Sequence, residues 1–283
     1  MVRRLLQRRA LGEFFRSRKM FAGALLGQIF SSGGNFAVNI LLAGALGPER
    51  FGYWALGWLL VALLTAVHNV LVQVPGQVLA RTADGQLDEP FFRATAQLAV
   101  LSAALGAGLV LAGIVIASLV ARFPVVEGLG FVPLAFGWML IEYNRRGFLV
   151  VGRQAVANIF EAVRAVGSVL ACVVLILWFN GPALLSLSLW VLGLLMFGIG
   201  LSGTYLLVGR QGAARIDLRA AMRRCWLYSR WMLPTAVSSR FGPDLSLSFA
   251  GLLLGPAAIG GFPAMLQIAR VFNLLFLALV VVR

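Results

Sequence analysis

Charged residues are scarce in this sequence, and their scarcity excludes a soluble fold. Only 12% of the 283 residues are charged and 60% are apolar, whereas soluble domains carry about a quarter charged residues. A soluble protein of this length has no interior large enough to bury so much hydrocarbon. The composition therefore predicts a protein that is surrounded by lipid.

Cysteine and lysine are also rare, and each shortage excludes a kind of chemistry. The two cysteines, Cys172 and Cys225, stand in no CxxC or Cys/His spacing, so we expect no disulfide framework and no metal site. The only lysine, Lys19, is followed by Met20, so the sequence has no GKS/T phosphate loop. Nucleotide hydrolysis by a site of that kind is excluded.

Acidic residues number only ten, and they form no cluster suited to metal or general-base chemistry at a membrane face. The closest grouping, Asp84, Asp88 and Glu89, lies beside Gly85 and Pro90 and indicates a solvated turn. We therefore expect that the protein is not an enzyme and that it binds no cofactor.

Long apolar segments dominate the rest of the chain. Each is about 20 residues or longer, which as a helix matches the hydrocarbon thickness of a bilayer. The sequence thus predicts an all-α, polytopic membrane protein with about eight transmembrane helices. The segments cover residues 20–46, 54–79, 94–121, 129–150, 155–179, 184–208, 229–254 and 257–282.

Basic residues lie mainly between these segments and alternate from one connection to the next. Seven precede residue 20, two follow the second segment, six follow the sixth, and Arg145, Arg146 and Arg153 follow the fourth. The intervening connections hold only Arg50 and Arg122. Because basic connections stay in the cytoplasm, the pattern predicts a multi-pass membrane protein with a cytoplasmic N-terminus. It also explains most of the net charge of +14 without nucleic acid.

The connector after the sixth segment, residues 209–228, is basic and amphipathic. One helical face carries Leu218, Met222, Cys225 and Trp226, and another carries Arg215, Arg219 and Arg223. Such a helix is typical of one lying on the anionic lipids of the inner leaflet. A basic connector without lipid specificity has the same sequence features.

An internal repeat links the two halves of the chain. Leu46-Gly47-Pro48 recurs at an offset of 208 residues as Leu254-Gly255-Pro256. An offset that spans six helices returns the chain to the same membrane side, so the repeats are parallel, as in many transporters. We expect a basic N-terminal segment (1–19), a six-helix lobe (20–208), the connector, and the first two helices of a second lobe (229–283). A truncated transporter and a complete eight-span protein are both open.

Three parts of the chain together carry a family resemblance: FSSGGNFAVNILLAGALGPERFGYWAL, the basic connector and SFAGLLLGPAAIGGF. They resemble bacterial polysaccharide flippases of the O-antigen type, in the multidrug/oligosaccharidyl-lipid/polysaccharide exporter superfamily, which implies a location in the bacterial inner membrane. The resemblance implies two six-helix lobes around a central cavity that opens alternately to either side. It implies a lipid-diphosphate-linked oligosaccharide as substrate, and a polysaccharide polymerase or assembly proteins as partners.

Five charged side chains lie within the apolar segments, where each costs about 2.5–3.5 kcal/mol on insertion scales. Glu161 and Arg164 are three residues apart, and Arg240 and Asp244 are four apart, which are spacings that allow self-neutralising pairs. Arg270 has no acid within its own helical reach. The three arginines are candidate ligands for the substrate diphosphate, because arginine stays ionised and matches phosphate oxygens. Glu161 and Asp244 are candidates for ion coupling.

Two apolar segments carry glycine or proline at corresponding places. Gly33 and Gly34 stand in the first segment, and Gly242 and Pro243 stand in the seventh. Broken helices at matching places of two repeats point to the substrate region of a transporter. Close helix packing through small residues is the other interpretation, and it is favoured for the first pair.

Polar residues in the first two segments complete the candidate site. Asn35 and Asn39 share one face of the first segment, and a polar strip on the second consists of His68, Asn69 and Gln73. The amides are candidates for binding sugar, although interhelical hydrogen bonds explain them equally well. The only histidine, His68, is a further candidate for ion coupling.

Two other functions stay open. A cation-coupled multidrug exporter of the same superfamily would use Glu161 and Asp244 to select organic cations. An inactive fragment or membrane scaffold would follow if the second lobe is incomplete.

Overall fold

The fold is a bundle of long helices, as the apolar segments predict. The computed structural model describes residues 2–82, 84–121, 125–179, 183–209, 217–236 and 238. Among these residues there is no strand beyond one isolated bridge between Arg81 and Leu87. The helices are α1 (Val2–His68), a π-helical turn (Asn69–Gln73), α2 (Val74–Val78), α3 (Glu89–Ala121), α4 (Val125–Gly128), α5 (Phe131–Val150), α6 (Gln154–Trp178), α7 (Ala183–Val208) and α8 (Leu218–Ser229).

Helix α1 is folded back on itself at Gly47. This glycine has φ 74° and ψ 170°, a left-handed conformation that glycine adopts without a side-chain clash. It separates a first arm, residues 2–46, from a second arm, residues 48–68. The indole Nε1 of Trp54 donates to Asn39 Oδ1 at 3.0 Å, although a straight helix would hold these residues about 22 Å apart. The two arms therefore pack antiparallel.

Five helical stretches in the described residues are long and apolar enough to cross a membrane, and the first of them contains both arms. Their large apolar side chains cover the outer faces of the bundle, with Leu119 and Leu177 more than 70% exposed. Such faces are suited to lipid as solvent. The described residues thus form an all-helical chain with five candidate membrane-spanning helices, and the count of eight stays a prediction. The stretches are Leu25–Val78, Glu89–Leu119, Val125–Val150, Gln154–Trp178 and Ala183–Val208.

The second half of the repeat is not part of this description. Residues 239–283 hold most of the predicted seventh segment and all of the eighth, and they lie outside the described residues. The two-lobe arrangement stays a prediction for that reason.

Small residues bring the helix backbones into direct contact at the centre of the bundle. A Cβ atom on Gly193 would lie 2.6 Å from the Gly130 carbonyl oxygen, and one on Gly200 would lie 2.9 Å from the Gly137 oxygen. Close approach through glycine is how membrane helices gain packing without a hydrophobic driving force. Asn144 Nδ2 donates to the Gly200 carbonyl at 2.7 Å and secures the same contact between α5 and α7.

Candidate functional site

Four charged side chains meet inside the bundle, between α5 and α6. Arg164 NH2 lies 2.8 Å from Glu161 Oε2 on α6, and Arg145 NH2 lies 3.0 Å from Glu142 Oε2 on α5. Arg145 Nε, 3.6 Å from Glu161 Oε1, joins the two pairs. Two acids and two arginines thus form one neutral network, which we call the ion network.

Arg164 is the most enclosed member of the ion network, with 1% of its surface exposed. Its Nε and NH2 groups both donate to Glu161, at 3.0 and 2.8 Å. NH1 donates to Asn35 Oδ1 at 2.8 Å, NH2 also reaches the Ser31 carbonyl at 3.3 Å, and the guanidinium carbon lies 5.0 Å from the Trp138 ring centre. The pairing predicted from the i, i+3 spacing is therefore present. In this conformation the donors of Arg164 face protein groups rather than an open passage.

The position of Arg145 corrects the sequence analysis, which counted it with Arg146 among the basic residues after the fourth segment, although both fall within the predicted bounds of 129–150. Helix α5 extends to Val150, so both arginines lie within the helix. Glu142 lies in the same segment and was not among the predicted intramembrane charges. The signal that could have found the pair is its i, i+3 spacing, the same as that of Glu161 and Arg164.

Three tryptophans close the site on the side of α1 and α5. Trp54 stacks on Trp58 with 6.0 Å between ring centres, and Trp58 meets the edge of Trp138 at 4.8 Å. Between these rings, Asn35 and Ser168 lies a cavity of about 20 Å³. That volume admits about one water molecule, so the cavity is too small for a sugar. Sequence reasoning missed the tryptophans, which lack any motif.

Asn39 holds the two arms of α1 together. Its Nδ2 donates to the Asn35 carbonyl at 2.7 Å, and its Oδ1 accepts from Trp54. Both ends of the amide are thus used inside the bundle. Asn35 and Asn39 do not line a sugar-sized cavity in this conformation, and interhelical hydrogen bonding describes them.

The predicted helix break at Gly33 and Gly34 is wrong. The first arm is helical throughout this region, and the non-helical residue of α1 is Gly47. A Cβ on Gly34 would lie 2.6 Å from Ala165 Cβ, whereas one on Gly33 would meet nothing within 4 Å. Gly34 therefore serves close packing of the first arm on α6, which is the alternative that the sequence favoured.

Beside Gly33 an apolar groove of about 310 Å³ opens between the first arm and α6. Its rim carries Ile29, Val166 and Leu170, each more than half exposed. The groove contains no charged side chain, so Arg164 is closed off from it.

The polar strip predicted on the second segment lies at the π-helical turn. His68 Nδ1 is 2.7 Å from Ser102 Oγ on α3, and Gln73 Nε2 donates to the Glu142 carbonyl on α5. Both side chains are buried, at 3% and 0% exposure. Gln73 therefore touches the backbone of the ion network but does not contact Arg164 or either predicted sugar-binding amide.

Helix α8 is the amphipathic connector, and one of its faces docks on the bundle. Ala221, Cys225 and Ser229 are buried, whereas Met222 and Trp226 are more than half exposed. Ser229 Oγ donates to the carbonyl of Val70 in the π turn at 2.6 Å. Burial raises the pKa of the Cys225 thiol to about 11, although the neighbouring Arg224 lowers it in part. The exposed apolar flank lies next to the exposed Arg219 and Arg223, as an interfacial helix requires.

An ion pair secures α8 near its middle. Arg224 NH1 lies 3.1 Å from Asp88 Oδ2, and its guanidinium carbon lies 4.5 Å from the Phe91 ring centre. The pair is largely exposed, with 48% and 26% of the two side chains accessible. This exposed ion pair serves as a reference for the buried pair of Glu161 and Arg164.

The remaining candidates fall outside the described residues. The predicted charged residues of the seventh and eighth segments are Arg240, Asp244 and Arg270. The predicted helix break of the seventh segment is Gly242 with Pro243. Among the described residues no group of three or more His, Cys, Asp or Glu side chains could hold a metal ion.

No protein-family model, curated protein or solved structure matches the chain. The resemblance to polysaccharide flippases therefore rests on the sequence segments alone. The function has to be argued from the ion network.

Proposed function

We propose that the chain belongs to a membrane transporter that moves a lipid-diphosphate-linked oligosaccharide across the bacterial inner membrane by alternating access. In this proposal residues 20–208 form a six-span first lobe with its N-terminus in the cytoplasm. The observation that carries the proposal is the buried ion network of α5 and α6.

Stability alone does not account for such a network. Charges within membrane helices are costly, and they commonly mark the path of a substrate or an ion. Replacing a buried ion pair by well-packed apolar side chains is often neutral or stabilising. A function that needs charge inside the membrane therefore best explains the ion network, in which two helices hold four charges beside Asn35 of a third helix.

Diphosphate binding is a task that fits Arg164. A guanidinium offers paired donors that match phosphate oxygens, and it stays ionised when it is buried. In the described conformation Glu161 occupies two of these donors, so the substrate has to replace that carboxylate. Arg145 already lies 3.6 Å from Glu161 Oε1. It can stay beside both Glu161 and Glu142 while Arg164 turns to the diphosphate, which limits the uncompensated negative charge in the membrane to one.

The rest of the chain has defined places in the proposal. Arg240 and Arg270 would add positive charge from the second lobe, and α8 would lie on the anionic lipids of the inner leaflet. A polysaccharide polymerase or assembly proteins would receive the exported unit.

The proposal is tested by measuring surface polysaccharide in cells from which the chromosomal gene for this protein has been deleted. Cells carrying the full chain with Arg164→Lys should show wild-type amounts of the protein in the membrane but at least about tenfold less polymer, a loss of about 1.4 kcal/mol. The lysine keeps the charge and loses the paired donors. Arg224→Lys changes the exposed arginine of α8 in the same way and is the matched control. Wild-type polymer with Arg164→Lys would contradict the proposal.

A cation-coupled drug exporter is the second candidate, and one observation favours it. The described part of the chain contains the acids Glu142 and Glu161 in a network with no excess of positive charge. The predicted excess depends on Arg240 and Arg270. Drug efflux that survives Arg164→Lys but is lost with Glu161→Gln would select this function. If the unmodified chain supports neither export activity, it is an inactive fragment or a scaffold.

A further inference from the structure

The π-helical turn gathers buried polar atoms that have no hydrogen-bond partner in the described part of the chain. They are His68 Nε2, Asn69 Oδ1 and Gln73 Oε1, with Gln77 Nε2 one turn further along. Buried polar groups in native proteins nearly always have partners, and exceptions commonly mark a bound water or ion. Four in ten consecutive residues need a common explanation.

The hydrogen bonds around Gln73 show which atom of its amide is an acceptor, and those around His68 allow Nε2 to be one. Ser102 Oγ lies 3.1 Å from the Ala99 carbonyl oxygen and 2.7 Å from His68 Nδ1. In the tautomer in which Ser102 donates its single proton to the carbonyl, Nδ1 carries the proton of the neutral imidazole and Nε2 presents a lone pair. Gln73 Nε2 donates to the Glu142 carbonyl, which leaves its Oε1 as the free end of the amide. Asn69 Oδ1 is a further buried acceptor without a partner, and Gln77 Nε2 is the one donor without a partner in this group.

The π turn places these acceptors on one side of the helix. Residues five apart in an α-helix point about 140° away from each other, whereas the i→i+5 bond of a π-helix brings them close to alignment. His68 and Gln73 are five apart, and Asn69 is four before Gln73. The backbone carbonyl of Val70 in this turn is already used by Ser229 Oγ. The side chains are therefore the free ligands of the turn.

We propose that the π turn binds a small monovalent cation of the sodium type. The amide oxygens of Asn69 and Gln73 would be direct ligands, because hard cations prefer oxygen. The lone pair of His68 Nε2 would accept a hydrogen bond from a water on that cation. The three acceptors outnumber the one donor without a partner, Gln77 Nε2, so the group disfavours an anion. The absence of a carboxylate among these ligands favours a single positive charge over a divalent ion.

The cation site is independent of the transported cargo. It follows from the acceptors on the π turn, and it would stand if the substrate were a drug instead of a glycan. Its position is suited to control, because the same turn contacts α8 through Ser229 and the ion-network helix α5 through Gln73. Cation binding would tie these elements together.

Thermal unfolding of the purified full chain in detergent micelles, followed by tryptophan fluorescence, tests the site. The chain is titrated with sodium chloride while choline chloride keeps the ionic strength constant. We expect Tm to rise with sodium and to saturate, since a ligand that binds the native state stabilises it by mass action. Lithium and potassium titrations distinguish a selective site from a general salt effect.

Variants locate the site on the π turn. Asn69→Ala should weaken the apparent sodium affinity by about tenfold or more, and Gln73→Leu should abolish the sodium dependence. Asn69 is only half-buried, so its variant keeps the test valid if Gln73→Leu fails to fold. Ser188→Ala removes a buried hydroxyl without a partner on α7 and should leave the sodium response unchanged.

Three results would overturn the proposal. Equal Tm values in sodium and choline would mean that the turn binds structural water and no cation. A rise that does not saturate would be a salt effect. An unchanged sodium response in Asn69→Ala would mean that the cation binds elsewhere in the chain.

Discussion

The buried pair of Glu161 and Arg164 allows a quantitative test of the ion network. The perturbation is a double-mutant cycle with Glu161→Gln, Arg164→Gln and the two together. Each single change removes one charge and keeps a side chain that can hydrogen-bond. The double change removes both charges and leaves the site neutral.

The expected magnitudes follow from burial and geometry. Glu161 and Arg164 are each 1% exposed, and three protein residues hold the guanidinium. Removing one member of such a pair leaves the other charge buried without its partner, at a cost of about 3–5 kcal/mol. The double variant escapes that penalty, so we expect a coupling energy of about 2–3 kcal/mol between the two positions.

The pair of Asp88 and Arg224 provides a matched reference cycle on the same chain. Both its members are partly exposed, and exposed pairs are typically worth about 0.2–1 kcal/mol. Asp88→Asn keeps an acceptor for the amide of Phe91, which Asp88 Oδ1 binds at 3.2 Å. Equilibrium unfolding of the full chain in micelles, with tryptophan fluorescence as the signal, measures both cycles.

The reasoning is refuted if Glu161→Gln destabilises the chain no more than Asp88→Asn. It is also refuted if the double variant is as unstable as the sum of the two single variants. Either result would mean that the two side chains do not act as one buried unit.

Gly34→Ala should lower the free energy of unfolding by about 1–3 kcal/mol through overpacking, whereas Gly33→Ala should be neutral or stabilising by up to about 1 kcal/mol. The same unfolding assay measures both variants. Equal effects would contradict the packing of the first arm on α6. Cys225 should resist maleimide at pH 8, because its buried thiol has a raised pKa near 11, and labelling should grow as pH approaches that value. In a chain without its two native thiols, Cys172 and Cys225, Met222→Cys on the exposed flank should label rapidly. Rapid labelling of Cys225 in the otherwise unmodified chain would contradict the docking of α8. Trp54→Phe leaves a buried amide oxygen without its donor and should cost about 1–3 kcal/mol in thermal unfolding; an unchanged Tm would argue against the antiparallel arms.

Local features were predictable where lipid sets the requirement. The segments predicted at 155–179 and 184–208 agree closely with Gln154–Trp178 and Ala183–Val208, because a bilayer demands uninterrupted apolar helices of a set length. The pairing of Glu161 with Arg164 was predictable too, since helical spacing alone brings the two side chains together.

Contacts between segments were not predictable in the same way. The break between the first two apolar segments was predicted after residue 46, and the chain does reverse at Gly47, whereas only packing decided that the first arm stays helical at Gly34. Arg145 became part of the ion network because α6 places Glu161 within 3.6 Å of it, and no pattern within one segment predicts that contact.

The sequence by itself determined that this protein is a bundle of membrane-length helices, because its composition leaves no other way to satisfy the backbone in lipid. The tertiary structure decided which polar groups meet. It occupied Arg164 with Glu161 and Asn35, reduced the predicted sugar cavity to the volume of about one water molecule, and left the acceptors of the π turn without donors. The physical reason is that helix periodicity fixes neighbours three or four residues apart, whereas contacts between helices depend on how their whole surfaces pack.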